Sequence, residues 1–159
     1  MTDFHDRFMQ EALAQARQAA KMGEVPVGAV VVRGDQVIAA AHNRREIDQD
    51  PTAHAEILAV REAAASLGSW RLDDCTIYVT LEPCSMCAGA MVLARIERCV
   101  YGTTDPKGGY VGTLGDLSNH PGLNHSFEVV GGVGREEAST LLKDFFRQLR
   151  RSRGKLNGS

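Results

Sequence analysis

Apolar residues recur at spacings of three and four from Phe4 through Phe8, Ala12, Ala16 and Ala19 to Met22, with polar residues between them. This period predicts an amphipathic helix over about 3–22, stopped at Gly23. The pattern then changes. Residues 27–32 and 36–41 read as two strands joined through Arg33-Gly34-Asp35, a hairpin turn. Asp50-Pro51-Thr52 reads as a helix start, because Pro suits the first helical position and Asp or Thr can cap it. That helix continues through Ile57, Leu58, Val60, Ala64 and Leu67 to Gly68. A buried strand is expected over 75–81, a helix from Pro83 through Met91 to about Arg95, and a strand over 97–101. From Gly102 to Asn124 the periodicity is weak, which predicts ordered loops with room for one short helix. A marginal strand follows at 127–130. Leu141, Leu142, Phe145, Phe146 and Leu149 mark one face of a terminal helix, with one of the two Phe residues expected in the core.

The element order is thus α-β-β-α-β-α-β-(β)-α. Strand–helix–strand connections from Thr76 onward imply parallel pairing beside an initial antiparallel hairpin. The expected class is α/β: three layers, α/β/α, around a mixed, mostly parallel sheet of about five strands. A chain of 159 residues has the length of one domain, here taken as residues 1–159 with a basic, frayed tail from about 151. No internal repeat, low-complexity block or linker interrupts it.

Composition narrows the class without naming a chemistry. Hydrophobic residues make up 43% and charged residues 24%, which suits a soluble globular protein. The first residues carry neither a basic region nor an apolar stretch, so no secretory leader is expected. No apolar run approaches the ~20 residues that cross a bilayer. The expected location is the cytoplasm, without a membrane partner. In a reducing compartment the pair Cys84 and Cys87 points to metal or redox chemistry rather than a disulfide, while Cys75 and Cys99 read as small buried hydrophobes. A net charge of −2 does not mark the whole chain as a nucleic-acid binder. Yet Arg147, Arg150, Arg151, Arg153 and Lys155 crowd the C-terminus; they are either a phosphate-contacting strip or a solvated tail.

The chemistry-bearing residues are His54-Ala55-Glu56 and Pro83-Cys84-Ser85-Met86-Cys87. They supply three soft ligands for one Zn²⁺, His54, Cys84 and Cys87, and a carboxylate, Glu56, suited to proton transfer. Three protein ligands leave a fourth position for water, the layout of a catalytic zinc rather than a structural one. Cys84 and Cys87, three apart, share one helix face. His54 and Glu56 would diverge in mid-helix, but at a helix start both can reach an ion off the end of the axis. Helix N-termini also favour thiolates. The competing reading is a closed structural zinc knot, for which His42 is the available fourth ligand. His5, His120 and His125 have no partner at ligand spacing and read as surface or loop residues.

With these residues in hand, the chain resembles the bacterial tRNA-specific adenosine deaminases of the cytidine-deaminase-like superfamily, from Phe8 to about Arg150. The motifs are EVPVGAV (24–30), HNR (42–44), DPTAHAEI (50–57), TLEPCSMCAGAM (80–91), HPGLNH (120–125) and DFFR (144–147). H-x-E followed by P-C-x-x-C is a known signature of zinc nucleobase deaminases. The resemblance implies hydrolysis of the wobble adenosine of a tRNA anticodon loop to inosine, with one zinc per subunit, no organic cofactor and a homodimer. By matching position, His54, Cys84 and Cys87 would hold the metal and Glu56 would shuttle protons. Asn43 would bind the flipped base, although a strand-end Asn is also a common turn former. The backbone N–H groups of Ala55 and Cys84 would face the attacking oxygen. Val27 and Leu81 would wall the base pocket, Val27 being equally readable as strand core. Asp105, beside Lys107, and Phe146 and Arg150 on the terminal helix would meet the RNA. Tyr110 stands where such proteins more often carry a small residue, and Val133-Gly134 makes an unusually Gly-rich approach to the last helix.

Two other functions fit the zinc motif. One is deamination of a free base or nucleotide such as guanine, cytosine or deoxycytidylate, against which the basic terminal helix speaks. The other is an inactive RNA-binding subunit, which the intact Glu56 disfavours.

Overall fold

The computed structural model describes residues 2–157. Its elements are α1 (Thr2–Lys21), β1 (Gly28–Arg33), β2 (Gln36–His42), α2 (Ala55–Leu67), β3 (Cys75–Leu81), α3 (Ser85–Ala94), β4 (Arg98–Thr103), β5 (Glu128–Val130) and α4 (Arg135–Asn157). One five-stranded sheet has the order β2-β1-β3-β4-β5. β1 pairs antiparallel with both β2 and β3, whereas β3 with β4 and β4 with β5 are parallel. The sheet is mixed as expected, but its pairings divide evenly, because the hairpin joins β3 through β1, running against it. Among the described residues no helix is long and apolar enough to cross a membrane.

Alternation along the strands sorts the core into two layers. Val30, Val32, Tyr78 and Val100 point to one face, where Phe8, Met9, Ala12 and Leu13 of α1 and Ala138 of α4 cover them. Ala29, Val31, Ile77, Val79 and Cys99 point to the other, packed with Ala55, Ala59 and Ala63 of α2 and Ala88 and Met91 of α3. Alanines and glycine at the α1 interface let backbones approach closely. At Gly28 a Cβ would overlap the Ala12 carbonyl and the Ala16 amide, so only glycine fits there.

Several boundaries differ from the periodicity. The second helix begins at Ala55, not at Asp50, because Asp50 uses its carboxylate to accept from Thr52 N and Oγ1, closing a local turn. Likewise α3 starts at Ser85 rather than Pro83. Residues 104–127 contain no helix; one bridge, Val111 with Asp116, is the sole sheet-like pairing there. α4 continues to Asn157, through the stretch expected as a tail from 151. The Lys155 side chain and residues 158–159 lie outside the described residues. His5 is not a free surface residue: it is half-buried on α1, its Nδ1 bonded to the Tyr78 hydroxyl at 2.8 Å. Neither Phe145 nor Phe146 is in the core. Phe145 is half-buried, Phe146 is 40% exposed, and the rings meet edge to face at 5.4 Å.

Candidate metal centre and nucleic-acid groove

The chemistry gathers where α2 and α3 begin. His54 and Cys84 are the N-cap residues of these helices, both with extended backbone (φ −77°, ψ 150° and φ −75°, ψ 177°), and neither spends its side chain on capping. Both are thereby aimed off the helix ends, and Cys87 follows one turn into α3. His54 Nδ1 lies 3.6 Å from Cys84 Sγ and 3.5 Å from Cys87 Sγ, and the three ligand atoms fall within 4.8 Å of one another. Zinc bonds of about 2.3 Å to sulfur and about 2.05 Å to nitrogen, at a tetrahedral angle, require an N···S separation of about 3.6 Å. The donor set therefore fits zinc in both chemistry and spacing. His42 is not part of it; its Nδ1 is bonded to the Asn43 carbonyl at 2.9 Å.

Close packing of these groups perturbs them strongly. A hydrogen bond from the Cys87 thiol, aided by His54, pulls the Cys84 thiol down to about 4, while the same bond and burial push Cys87 upward. Cys84 in turn raises His54. The protein is thus ready to yield one thiolate, and metal binding would displace the second proton. Glu56 is 5% exposed. Burial pushes its carboxyl up from 4.5 to about 7, against the opposing pull of its own backbone N–H and of His54.

A cavity of about 150 Å³ lies over these residues, walled by Val27 and Leu81, with Asn43, Ala55, Glu56 and Cys84 at its polar end. Its size suits one heterocyclic base. Val25, Arg45, Leu81 and Asp105 also border a second, open groove of about 760 Å³, so they stand where the two spaces join. Lys107, Lys143, Phe146, Arg147 and Arg150 line that groove. Val27, Asn43, His54, Ala55, Glu56, Leu81, Cys84, Asp105, Phe146 and Arg150 thus line the two adjoining spaces, and Cys87 lies buried behind Cys84 and His54. Asn43 is already engaged: Nδ2 donates to Val25 O at 3.3 Å and Oδ1 accepts from Arg45 N at 3.2 Å. One N–H and one lone pair remain for a ligand.

Two buried carboxylates that shape the rim of these spaces had no role in the sequence reading. Glu24 is 1% exposed and accepts from Glu46 N (3.1 Å) and Ile47 N (2.6 Å), pinning the loop that carries Arg45. Glu82 is 2% exposed and takes four donors from the loop after β4. The available signal was a carboxylate set inside an otherwise apolar run, EVPV and TLEP. Such a group must find buried donors.

Comparison with known proteins agrees with this geometry. Residues 4–150 match the family model of the MafB19-like deaminases. The chain is 52% identical over 146 residues to a tRNA-specific adenosine deaminase of Bacillus subtilis, covering 92% of this chain and 91% of that protein. It is 48% identical over 153 residues to a tRNA(Ile)-lysidine synthase of Deinococcus deserti, covering 95% of this chain but 28% of that longer protein. A solved structure from studies of A-to-I editing by tRNA:A34 deaminases at the wobble position of transfer RNA superposes with a TM-score of 0.83 at 45% identity, over 86% of this chain and 99% of that one.

Proposed function

The chain matches the MafB19-like deaminase family and belongs with the tRNA-specific adenosine deaminases; from that premise we propose how its own residues convert the wobble adenosine of a tRNA anticodon to inosine. The observation that carries this reading is the continuity of the base-sized cavity over His54, Cys84, Cys87 and Glu56 with the cationic groove beyond it. An anticodon loop supplies an unpaired base that is cheap to extrude into such a cavity, and backbone phosphates for the groove.

The reaction consumes one water: a C6–O bond forms, the C6–N bond breaks, and ammonia leaves. Zinc held by His54, Cys84 and Cys87 would polarise the attacking water. The Glu56 carboxylate accepts one proton of that water and delivers it to N1 of the adenine ring; it then takes the remaining proton from the new C6 hydroxyl and passes it to the departing amine, so that C6 becomes a carbonyl and ammonia leaves. A carboxyl held near 7 by burial suits a group that must both take and give a proton at neutral pH, and a nearby cation would favour its ionised form. Val27 and Leu81 exclude water from the faces of the base. Asn43 offers its remaining N–H and lone pair to the ring edge. Phe146 presents an exposed face for stacking and Arg150 a charge for phosphate.

A Cys84–Cys87 pair used as metal ligands suits a reducing, cytoplasmic setting, which is the location this reading carries. The homodimer implied by the family resemblance is part of this proposal, and a solution-mass measurement tests it.

The test is incubation of zinc-loaded protein with an anticodon stem-loop carrying adenosine at the wobble position, with inosine read by mass spectrometry. Glu56→Ala and free nucleosides run in parallel. Inosine from the wild type alone supports the reading. Turnover of free bases without editing would instead assign the cavity to nucleobase salvage.

A further inference from the structure

The loop from Thr104 to Thr113 contains Gly108, Gly109 and Gly112 and no helix, so its shape must come from something other than regular backbone pairing. Glu82 provides it. Oε1 accepts from Asp105 N (3.1 Å) and Thr113 Oγ1 (2.5 Å), and Oε2 accepts from Val111 N and Thr113 N (3.2 Å each). Both oxygens are thus occupied by donors spread across nine residues of one loop. Gly109 lies so close to this carboxylate that a Cβ there would overlap it. Two neighbouring bonds finish the attachment: Tyr110 N to Pro83 O and Gly109 N to Asp105 O, both 2.9 Å. The loop is wound around one buried side chain, itself two residues from Cys84.

What this winding sets is the position of Asp105 and Lys107. The Asp105 amide is held by Glu82, its carbonyl by Gly109 N, and its Oδ1 by Lys107 N at 3.0 Å. Asp105 borders both the cavity and the groove, and the exposed Lys107 borders the groove. The opposite lip of the mouth carries Arg45 and is held by Glu24 in the same manner.

We propose that Glu82 is a positioning residue for RNA binding: by organising residues 105–113 it places Lys107 and Asp105 at the mouth of the cavity, and it acts on affinity for the polymeric substrate rather than on the chemical step. This rests on the reading that the groove receives RNA. Both Glu82 oxygens face the loop, so the residue acts through Asp105 and Lys107 and has no free acceptor for the base.

The experiment is a double-mutant cycle of Glu82→Gln and Lys107→Ala, with KM and kcat measured on the wobble-adenosine stem-loop and zinc content determined for each protein. Glutamine keeps the size of the side chain but turns an N–H₂ toward two loop donors. The expected result is a KM raised about tenfold, equivalent to about 1.4 kcal/mol, with kcat and zinc content preserved. Lys107→Ala should raise KM also, and the double variant should raise it by less than the product of the two. Amide hydrogen exchange should accelerate over residues 105–113 and not in α2 or α3. An effect of Lys107→Ala that multiplies fully with that of Glu82→Gln overturns the proposal, as does a Glu82→Gln variant whose kcat falls at unchanged KM. If Lys107→Ala leaves KM unchanged, the RNA reading of this lip is what fails. Should Glu82→Gln not fold, Thr113→Val removes one donor and carries the same cycle with a smaller shift.

Discussion

Replacing Glu56 by glutamine separates what the site does for catalysis from what it costs the fold. In the metal-free protein, burial raises the Glu56 carboxyl from 4.5 to about 7. Between those values the folded protein keeps a proton that the unfolded chain has released. Stability from this group is therefore present in full below 4.5 and is lost as pH rises through about 7. The gap, at about 1.4 kcal/mol for each pH unit, corresponds to about 3 kcal/mol. Most of it, on the order of 2–3 kcal/mol, accrues between pH 5 and pH 8. Glutamine does not ionise, so the metal-free variant should gain about that much on metal-free wild type over the same interval. His54, Cys84 and Cys87 titrate in both proteins, and their contribution cancels except for the part of each shift that Glu56 itself causes. Urea denaturation of chelator-treated protein under reducing conditions, at pH 5 and pH 8, measures the difference by linear extrapolation. A stability difference that is identical at the two pH values would refute the argument, since burial would then impose no cost on the ionised carboxylate. Zinc-loaded Glu56→Gln should meanwhile lose about 10²–10⁴ in deamination rate, so one substitution stabilises the empty site and disables the filled one.

Other substitutions test separate parts of the structure. Gly28→Ala drives a Cβ into the backbone of α1 at Ala12 and Ala16 and should destabilise by about 3 kcal/mol or more, read by denaturation; a change below about 0.5 kcal/mol would mean α1 is not seated on β1 this closely. Cys84→Ser and His54→Ala should each yield protein with less than one zinc per chain by elemental analysis, and chelation should abolish wild-type turnover until zinc is restored. Phe146→Ala, at a 40% exposed position, should raise KM for the stem-loop by the equivalent of about 1–3 kcal/mol with little change in melting temperature. Arg150→Ala should weaken RNA binding and reduce its salt dependence by about one phosphate contact, measured as the slope of binding constant against salt.

The parts legible in the sequence are those whose signal is local. Helix α1 shows its 3.6-residue period because one face packs on the sheet and the other meets water, and β3 reads as a strand because CTIYVTL is buried on both faces. The grouping of His54, Cys84 and Cys87 as candidate metal ligands was legible for a different reason: spacing and soft donors carry chemistry whatever the fold. What periodicity missed depended on side-chain turns that compete with a helix start and on contacts distant along the chain. Asp50 closes a turn of its own, so the helix start moved to Ala55 and left His54, at the N-cap, free for the metal. That shift improves the site, because an N-cap side chain points along the helix axis whereas a side chain inside the first turn points away from it. The two lips of the cavity were the least visible elements. Their shape is dictated by Glu24 and Glu82, which lie 22 and 23 residues before their first acceptor-bound amides, Glu46 N and Asp105 N. No local window contains both partners. A Gly-rich loop read by itself looks structureless, yet wrapped on a buried carboxylate it becomes a defined edge of the substrate's path. The division has a functional logic: the chemistry of deamination sits on helix ends that packing makes rigid, while the fit to RNA is delegated to loops whose shape hangs on single buried acids. Substitutions at those acids should therefore alter what the enzyme binds before they alter what it can do to a bound base.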